Sequence, residues 1–261
     1  MIEPLLALLF GLIIGSFLNV CIFRLPRDLS VVAPRSFCIE CEKTIGWHDL
    51  IPIFSYLLLG GKCRYCGQRI SWRYPLVEFL TAALFCFAVW KFGLTLVALK
   101  LCVFGAILIA LLFTDIEERI LPDEFTLGGI VAGLIFSWFV LLPPGLVAFF
   151  TESPDPRLNS LGESALGAAF PTLCMFVLGY LYQKLRKREG LGLGDVKMVA
   201  MIGSFQGLMQ GVLSLMIGSV LGSVIGLIFM FAAKKDMQTY ELPFGTFLGI
   251  GALAVALLGL Q

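Results

Sequence analysis

Charged residues and histidine are scarce in this chain of 261 residues. Only 14% of the residues are charged, 59% are hydrophobic, and His48 is the single histidine. A typical soluble domain carries about a quarter charged residues, so this composition indicates a membrane protein surrounded by a lipid bilayer. The net charge of +1 provides no overall attraction to nucleic acid, and no nucleic-acid partner is expected.

Several common catalytic motifs are also missing. One histidine excludes the H-E-x-x-H zinc protease motif and would leave any Ser–His–Asp triad dependent on that single imidazole. Neither a G-x-S-x-G nucleophile motif nor a Walker A loop occurs in the sequence. The glycine-rich GLGLGD (190–195) follows a basic helix end rather than a strand, which argues against a dinucleotide loop. Carboxylates are therefore the remaining candidates for chemistry.

The apolar residues form runs long enough to cross a bilayer, which takes roughly 20 residues. They predict an all-α multi-pass membrane protein with about eight transmembrane helices. The expected spans are 4–23, 76–92, 95–114, 125–143, 163–183, 195–210, 211–233 and 244–260. The sixth and seventh are separated only by the turn MQG (209–211), and seven spans result if the sixth is re-entrant.

Lysine and arginine gather on one side of this arrangement. With eight spans, 16 of the 19 basic residues fall on the side that receives the segments 24–75, 115–124, 183–198 and 234–243. Because positively charged loops stay in the cytoplasm, that side is predicted to be cytoplasmic and both termini lie outside. The predicted organisation is a first transmembrane helix (1–23), a polar cytoplasmic loop domain (24–75) and a helical bundle in the membrane (76–261).

The polar loop contains two C-x-x-C pairs, which are Cys38 with Cys41 and Cys63 with Cys66. Their spacing is close to that of four-thiolate zinc sites, in which two cysteine knuckles complete a tetrahedron. A redox pairing is the weaker alternative, because the cytoplasm is reducing. Four cysteines leave no open coordination position, so the predicted Zn²⁺ is structural.

Two aspartates stand at predicted membrane boundaries on the cytoplasmic side. Asp115 closes the third span, and Asp195 opens the sixth next to Gly192 and Gly194, which let backbone and substrate approach closely. Each acid taken alone fits a merely interfacial residue. Taken together, two acids at one depth can share a proton, so that the ionised one activates water and the protonated one polarises a carbonyl. Lys197 and Arg119, which lie near the two acids in sequence, are expected to bias the titration of the pair.

Other acids near Asp115 compete for the first role. The segment TDIEERILPDE (114–124) also contains Glu117, Glu118, Asp123 and Glu124, and physical reasoning alone does not choose among the five.

The sequence resembles the type IV prepilin peptidases, the leader peptidase/N-methyltransferases of type IV pili and type II secretion. The resemblance covers essentially the whole chain. It rests on the two C-x-x-C pairs and on Asp115, which is followed after five residues by LPD (121–123). It also rests on the segments GSFLNVCIFRLP (15–26), ISWRYPLVE (70–78), GLGDVK (192–197) and LPFG (242–245). Thr246 departs from the family pattern, which commonly has proline after FG, and this affects the expected shape of that loop.

The resemblance implies a G-x-G-D membrane aspartic protease of the bacterial inner membrane, with Asp115 and Asp195 as its catalytic pair. The implied substrates are type IV prepilins and pseudopilins, cut on the cytoplasmic side of the membrane. Because acids cluster near Asp115, basic leaders are expected to meet Glu117, Glu118, Asp123 and Glu124. The cysteine loop implies a second activity, methylation of the new N-terminus with S-adenosylmethionine, for which Arg73 and Glu78 are candidate residues. Glu78 fits an interfacial or capping acid equally well.

Two other classes of function fit parts of the sequence. A proton-coupled transporter would use the same two acids as a relay, but the predicted spans carry no acid near their middle, where coupling sites usually lie. A zinc-anchored scaffold for a secretion machine would need no catalytic acids.

Overall fold

A computed structural model describes residues 2–150, 155–187, 192–233 and 243–259, and these residues are helical or irregular. Within the described residues the β-type pairings are two isolated bridges, Phe37 with Thr44 and Lys62 with Arg69. The all-α prediction is therefore confirmed for the described residues. The chain divides into two compact units, Met1–Ala110 and Leu111–Gln261.

The first unit is built on two long helices, α1 (Ile2–Arg24) and α3 (Arg73–Phe92), which pack against each other. Two glycines one turn apart allow the close approach. A Cβ added at Gly11 would lie 2.7 Å from Ala82 Cα, and one at Gly15 would lie 2.7 Å from Glu78 Cα. Small residues at i and i+4 let helix backbones approach closely. Between the two helices runs the cysteine-containing loop, with the short helix α2 (Phe54–Leu58).

Helix α4 (Leu96–Glu118) leads into the second unit. The second unit continues with α5 (Asp123–Phe139) and the short helix α6 (Leu146–Phe150). Two long helices follow, α7 (Pro156–Arg186) and α8 (Leu193–Ala233), and α9 (Phe244–Gly259) is the last helix described. Helix α8 lies at the centre, because α5, α7 and α9 all pack against it.

Helix α8 is broken at Gly207, which has φ 77° and ψ −178°. These angles lie outside the helical region and are accessible to glycine, since it has no Cβ. The sequence predicted a break at MQG (209–211), which is wrong by two residues, because the chain changes direction at the glycine two positions before Met209. The side chain of Gln206 donates to Ala252 O on α9 (2.8 Å) and accepts from Ser214 Oγ (2.6 Å), which joins the two sides of the break.

Five described helices are long and apolar enough to cross a membrane: Ile2–Arg27, Arg73–Phe92, Leu96–Glu118, Pro156–Arg186 and Leu193–Phe229. Phe244–Gly259 is apolar but shorter. The helix that contains the predicted span 163–183 is longer than that span and begins at Pro156. Asp155 caps its start by accepting a hydrogen bond from Arg157 N (2.9 Å). Eight spans stay a prediction.

Glycines also set the packing of the second unit. A Cβ at Gly203 on α8 would touch the carbonyl group of Gly167 on α7, and a Cβ at Gly218 would lie 2.7 Å from Leu248 Cα on α9. Gly218 belongs to the G-x-x-x-G steps visible in the sequence. Gly167 and Gly203 are far apart in sequence, and only the folded structure pairs them.

We predict that Gly203→Ala lowers the stability of the chain by about 1–3 kcal/mol, because the new methyl group would meet backbone atoms that cannot rotate away. Thermal unfolding in detergent measures the effect. The control is Gly128→Ala on α5, where the added Cβ has no described atom within 4 Å; helix propensity should make this change neutral or stabilising. Equal melting temperatures for the two variants would contradict the proposed packing.

Candidate active site

Asp115 lies in the last turn of α4 and is 5% exposed. Its Oδ2 atom accepts two hydrogen bonds from one residue, from the backbone N–H of Thr246 (2.6 Å) and from the Thr246 hydroxyl (2.8 Å). A buried carboxylate is costly without such partners, so these two bonds make its position tenable.

Thr246 reaches Asp115 because of its place in α9. It is the third residue of that helix, and the first four N–H groups of a helix have no acceptor within the helix. The positive end of the helix dipole adds a favourable interaction with a carboxylate. Sequence reasoning noted Thr246 only as a departure from a family pattern. A threonine in the first turn of a helix was the available signal, but nothing in the sequence indicates which acid it binds.

Asp195 lies in the first turn of α8 and is half-buried. Its charge interacts with that of Asp115, so the fold brings the two predicted acids into electrostatic range. A Cβ added at Gly192 would lie 3.3 Å from Asp195 Oδ2, so the backbone of that residue runs beside the carboxylate. The predicted glycine-rich turn begins at residue 190, and residues 190 and 191 lie outside the described part of the chain.

Leu121 packs between the two segments that carry this site. A Cβ at Gly194 would lie 3.2 Å from Leu121 Cβ, and one at Gly245 would lie 3.1 Å from Leu121 Cδ1. A Cβ at Gly245 would also lie 3.2 Å from Asp115 Oδ2. Glycine at 194 and 245 therefore lets the starts of α8 and α9 close on the same leucine, which keeps Asp195 and Thr246 near Asp115.

The other predicted polar residues surround this centre. Lys197 Nζ forms an ion pair with Asp123, at 2.6 Å from Oδ1 and 2.9 Å from Oδ2. Lys197 is thus bound to one of the predicted leader-binding acids. Glu117 is exposed and Glu118 half-exposed at the end of α4. Arg119, which follows them, interacts electrostatically with Asp115.

The four loop cysteines form one cluster in the first unit. The sulfur atoms of Cys38, Cys41, Cys63 and Cys66 all lie within 4.8 Å of one another, and Cys38 Sγ is 3.8 Å from Cys66 Sγ. Zinc–thiolate bonds of about 2.3 Å place the sulfurs of a tetrahedral site about 3.8 Å apart, so the cluster fits such an ion. These residues can hold a metal.

The two knuckles have the same local structure. In each, a left-handed residue follows the second cysteine, Glu42 in one (φ 55°) and Gly67 in the other (φ 72°). The N–H of that residue donates to the carbonyl of the first cysteine, at 2.8 Å and 3.0 Å respectively.

Hydrogen bonds from the backbone N–H groups of Cys66 and Tyr65 lower the pKa of Cys63 to about 7. At Cys66 a backbone hydrogen bond from Gln68 lowers the pKa, but burial and the neighbouring thiols outweigh it and raise the pKa to about 12. The cluster therefore favours the thiolate, the form that binds metals, at Cys63.

The two residues predicted for methylation lie near each other but differ in what they face. Glu78 is 7% exposed and lines a cavity between the cysteine loop and the helices α1 and α3, and its Oε2 accepts a hydrogen bond from Ile53 N (2.7 Å). Arg73 is buried at the start of α3 with its guanidinium group over the ring of Tyr74 (4.5 Å), and it is not among the residues that line that cavity.

Two family models match successive parts of the chain. Residues 9–92 match the bacterial peptidase A24 N-terminal domain, and residues 102–227 match the type IV leader peptidase family. The second match contains both Asp115 and Asp195, and the first contains the cysteine cluster and Glu78. The resemblance inferred from the sequence motifs is confirmed.

Curated relatives extend the match to nearly the whole chain. A prepilin leader peptidase/N-methyltransferase of Myxococcus xanthus is 40% identical over 195 residues, which cover 75% of this chain and 53% of the relative. A type 4 prepilin-like proteins leader peptide-processing enzyme of Escherichia coli is 35% identical over 269 residues, covering 96% of this chain and 92% of the relative. A prepilin leader peptidase/N-methyltransferase of Pseudomonas aeruginosa is 32% identical, covering 98% and 91%.

The chain thus spans about half the length of the Myxococcus relative and most of the length of the other two. No solved structure matches the chain.

Proposed function

We propose that this chain, which belongs to the type IV leader peptidase family, cleaves the leader from type IV prepilins or pseudopilins with Asp115 and Asp195 as its catalytic pair. The observation that carries the proposal is that the start of α8, which bears Asp195, and the start of α9, which binds Asp115, close on the same leucine, Leu121, although the two aspartates are eighty positions apart in the sequence. Acids near each other at a membrane boundary are costly and often functional.

The hydrogen bonds at Asp115 divide the two roles. Two donors on one oxygen favour a carboxylate over a carboxylic acid, so Asp115 is the ionised member and Asp195 carries the shared proton. Asp115 takes a proton from water as the water oxygen bonds to the scissile carbonyl carbon. Asp195 donates a hydrogen bond to the carbonyl oxygen. When the C–N bond breaks, the proton held by Asp115 goes to the leaving amine.

The proposed topology is eight spans in a bacterial inner membrane with this site at the cytoplasmic face. The break at Gly207 supports counting α8 as two spans, and α5 and α9 supply two short apolar helices besides the long ones. The placement of 16 of the 19 basic residues on one side supports the orientation.

Basic leaders are the proposed substrates because acids lie near Asp115. Glu117 and Glu118, at the end of the same helix, are the first candidates for contact with a leader. Asp123 contributes less, since its carboxylate is engaged by Lys197.

The relatives named N-methyltransferases support a second activity in the first unit. We propose that the chain methylates the new N-terminal amine with S-adenosylmethionine. When bound, S-adenosylmethionine would supply the methyl group for transfer from sulfur to the amine nitrogen, and the amine would release a proton to water. Glu78, with its carboxylate at a cavity wall, is a better candidate than Arg73 for contact with the reactants. We further propose that the four cysteines bind a structural Zn²⁺.

We predict that Asp115→Asn and Asp195→Asn each abolish leader cleavage, because each variant removes one member of the proton-sharing pair. The measurement is cleavage of a detergent-solubilised prepilin, with thermal unfolding as the test of folding. Asp155→Asn is the matched control, since asparagine retains the N-cap at that position. Cleavage by either variant of the pair at the rate of the control would remove both assignments.

Thr246→Val should move the acidic limb of the pH–rate profile upward by about one pH unit, because it removes one donor that stabilises ionised Asp115 while retaining the backbone donor. Activity requires the carboxylate, so the loss on acidification begins at higher pH. Two charged residues interact with Asp115, namely Asp195 and Arg119, and both are unchanged in this variant.

Thr114→Val is the control for this prediction, because the Thr114 hydroxyl donates to Leu111 O within its own helix (3.0 Å). Equal pH profiles for Thr246→Val and Thr114→Val would contradict the role assigned to Thr246.

Cys38→Ser should release bound zinc and lower the melting temperature, because three thiolates and a hydroxyl bind the ion less tightly. Metal content of the purified protein is measured by mass spectrometry, with Cys174→Ser, an exposed cysteine of α7, as the control. The redox alternative predicts no metal and an activity that depends on added thiol, and that result would overturn the zinc assignment.

A further inference from the structure

Helix α2, in the cysteine loop, has an apolar face that stays exposed. Its side chains Phe54, Leu57 and Leu58 are each more than half exposed. Residues three and four positions apart lie on the same side of a helix, so the three form one surface, the α2 patch. The helix is fixed to the rest of the loop, because the Tyr56 hydroxyl donates to Ile70 O (3.4 Å). The α2 patch therefore faces outward from a defined position.

That position is beside the start of a membrane-spanning helix. Ile53 N, just before α2, donates to Glu78 Oε2 on α3 (2.7 Å). Glu78 is five positions after Arg73, about 7 Å along the helix. The twenty residues of α3 measure about 30 Å, the thickness of the hydrocarbon core, so little of this helix is left to stand in water. The start of α2 is therefore held at the level where headgroups meet hydrocarbon.

Two cations face each other where the chain leaves α2. Lys62 and Arg69 pair in an isolated antiparallel bridge whose hydrogen bonds join the residues on either side of the pair. In such a non-hydrogen-bonded pair the Cα atoms are about 4.5 Å apart and the side chains lie close together on one face. Both side chains are exposed, and neither forms an ion pair with any carboxylate that the structure describes.

This charge pair indicates an anionic ligand. Like charges directly opposite each other on a β pair are destabilising. The knuckle fold does not require them, because the equivalent bridge in the first knuckle pairs the uncharged Phe37 and Thr44. The loop is basic as a whole, with eight Lys and Arg against four Asp and Glu in residues 24–75. Anionic lipids attract such segments, and a phosphate between Lys62 and Arg69 would remove their repulsion.

We propose that the cysteine loop docks onto an anionic lipid surface, with the α2 patch among the headgroups and a lipid phosphate between Lys62 and Arg69. Trp72, which is exposed and immediately precedes α3, belongs to the same surface, since tryptophan favours the membrane interface. The surface is continuous in the chain, because Lys62 is four positions after Leu58 and Arg69 is three before Trp72. Neither proposed activity is needed for this docking.

Quenching of tryptophan by brominated lipid tests the insertion. The four native tryptophans of the full chain are replaced by phenylalanine, and either Leu57→Trp or Ile39→Trp is then added. Ile39 is the matched control, because it is an exposed apolar residue of the same loop but lies in the first knuckle next to the acidic Glu40. The nanodiscs contain phosphatidylglycerol and phosphatidylcholine brominated near its carbonyl groups. Leu57→Trp should be quenched at least about twofold more strongly than Ile39→Trp, since an interfacial indole contacts the bromine atoms.

Native mass spectrometry of retained lipids tests the cation pair with the native tryptophans in place. Lys62→Gln combined with Arg69→Gln should lower the preference for phosphatidylglycerol over phosphatidylcholine about 5- to 25-fold, because each cation near an anionic surface contributes roughly a factor of five. Arg35→Gln combined with Lys43→Gln removes the same charge from exposed positions of the loop and should retain the preference. Thermal unfolding checks the fold of each variant.

Three results would overturn parts of this proposal. Equal quenching of Leu57→Trp and Ile39→Trp excludes docking of the α2 patch on lipid. Leu57→Trp that lipid does not quench, but that an added prepilin shields from an aqueous quencher, assigns the patch to the substrate and also excludes lipid. Equal loss of the phosphatidylglycerol preference in the two double variants assigns lipid retention to the overall charge of the loop and removes the phosphate site.

Discussion

The pair of hydrogen bonds from Thr246 to Asp115 joins residues 131 positions apart and is the interaction on which the candidate peptidase site depends. A carboxylate that is 5% exposed needs donors, and the first turn of α9 supplies them. With Asp115 fixed in this way, the start of α8 can bring Asp195 near it, while Leu121 packs against both helix starts. One satisfied carboxylate thus organises the end of the helical bundle.

Close packing at glycine positions makes that arrangement possible. Helix α8 meets α7 at Gly203 and α9 at Gly218, and it changes direction at Gly207. In a lipid environment no hydrophobic force draws helices together, so contact between backbones carries much of the packing free energy. The same logic operates in the first unit, where Gly11 and Gly15 bring α1 against α3.

The first unit combines this packing with a polar loop that has its own fold. Two equivalent knuckles bring four sulfur atoms together, and the ion pair of Asp49 with Arg64 links the second knuckle to the segment between them. The Arg64 guanidinium holds the pKa of Asp49 below its usual value. A cavity lies between this loop and the paired helices, so the two halves of the unit together form its walls.

The sequence by itself determined the helical class, the two cysteine pairs and the family, because each depends on composition or on short motifs with fixed spacing. Among five neighbouring acids, only the family resemblance selected Asp115 to stand with Asp195 as a candidate. The tertiary structure alone decided which groups meet. The pairing of Thr246 with Asp115 and the contact of Gly167 with Gly203 both depend on residues far apart in the chain. The break in α8 was misplaced from the sequence, because several glycines there permit a break; in the folded chain it lies at Gly207, where the backbone runs against Gly167 of α7. Residue types and short motifs indicate which side chains are candidates for the site, whereas the packing of the helices sets the distances between them.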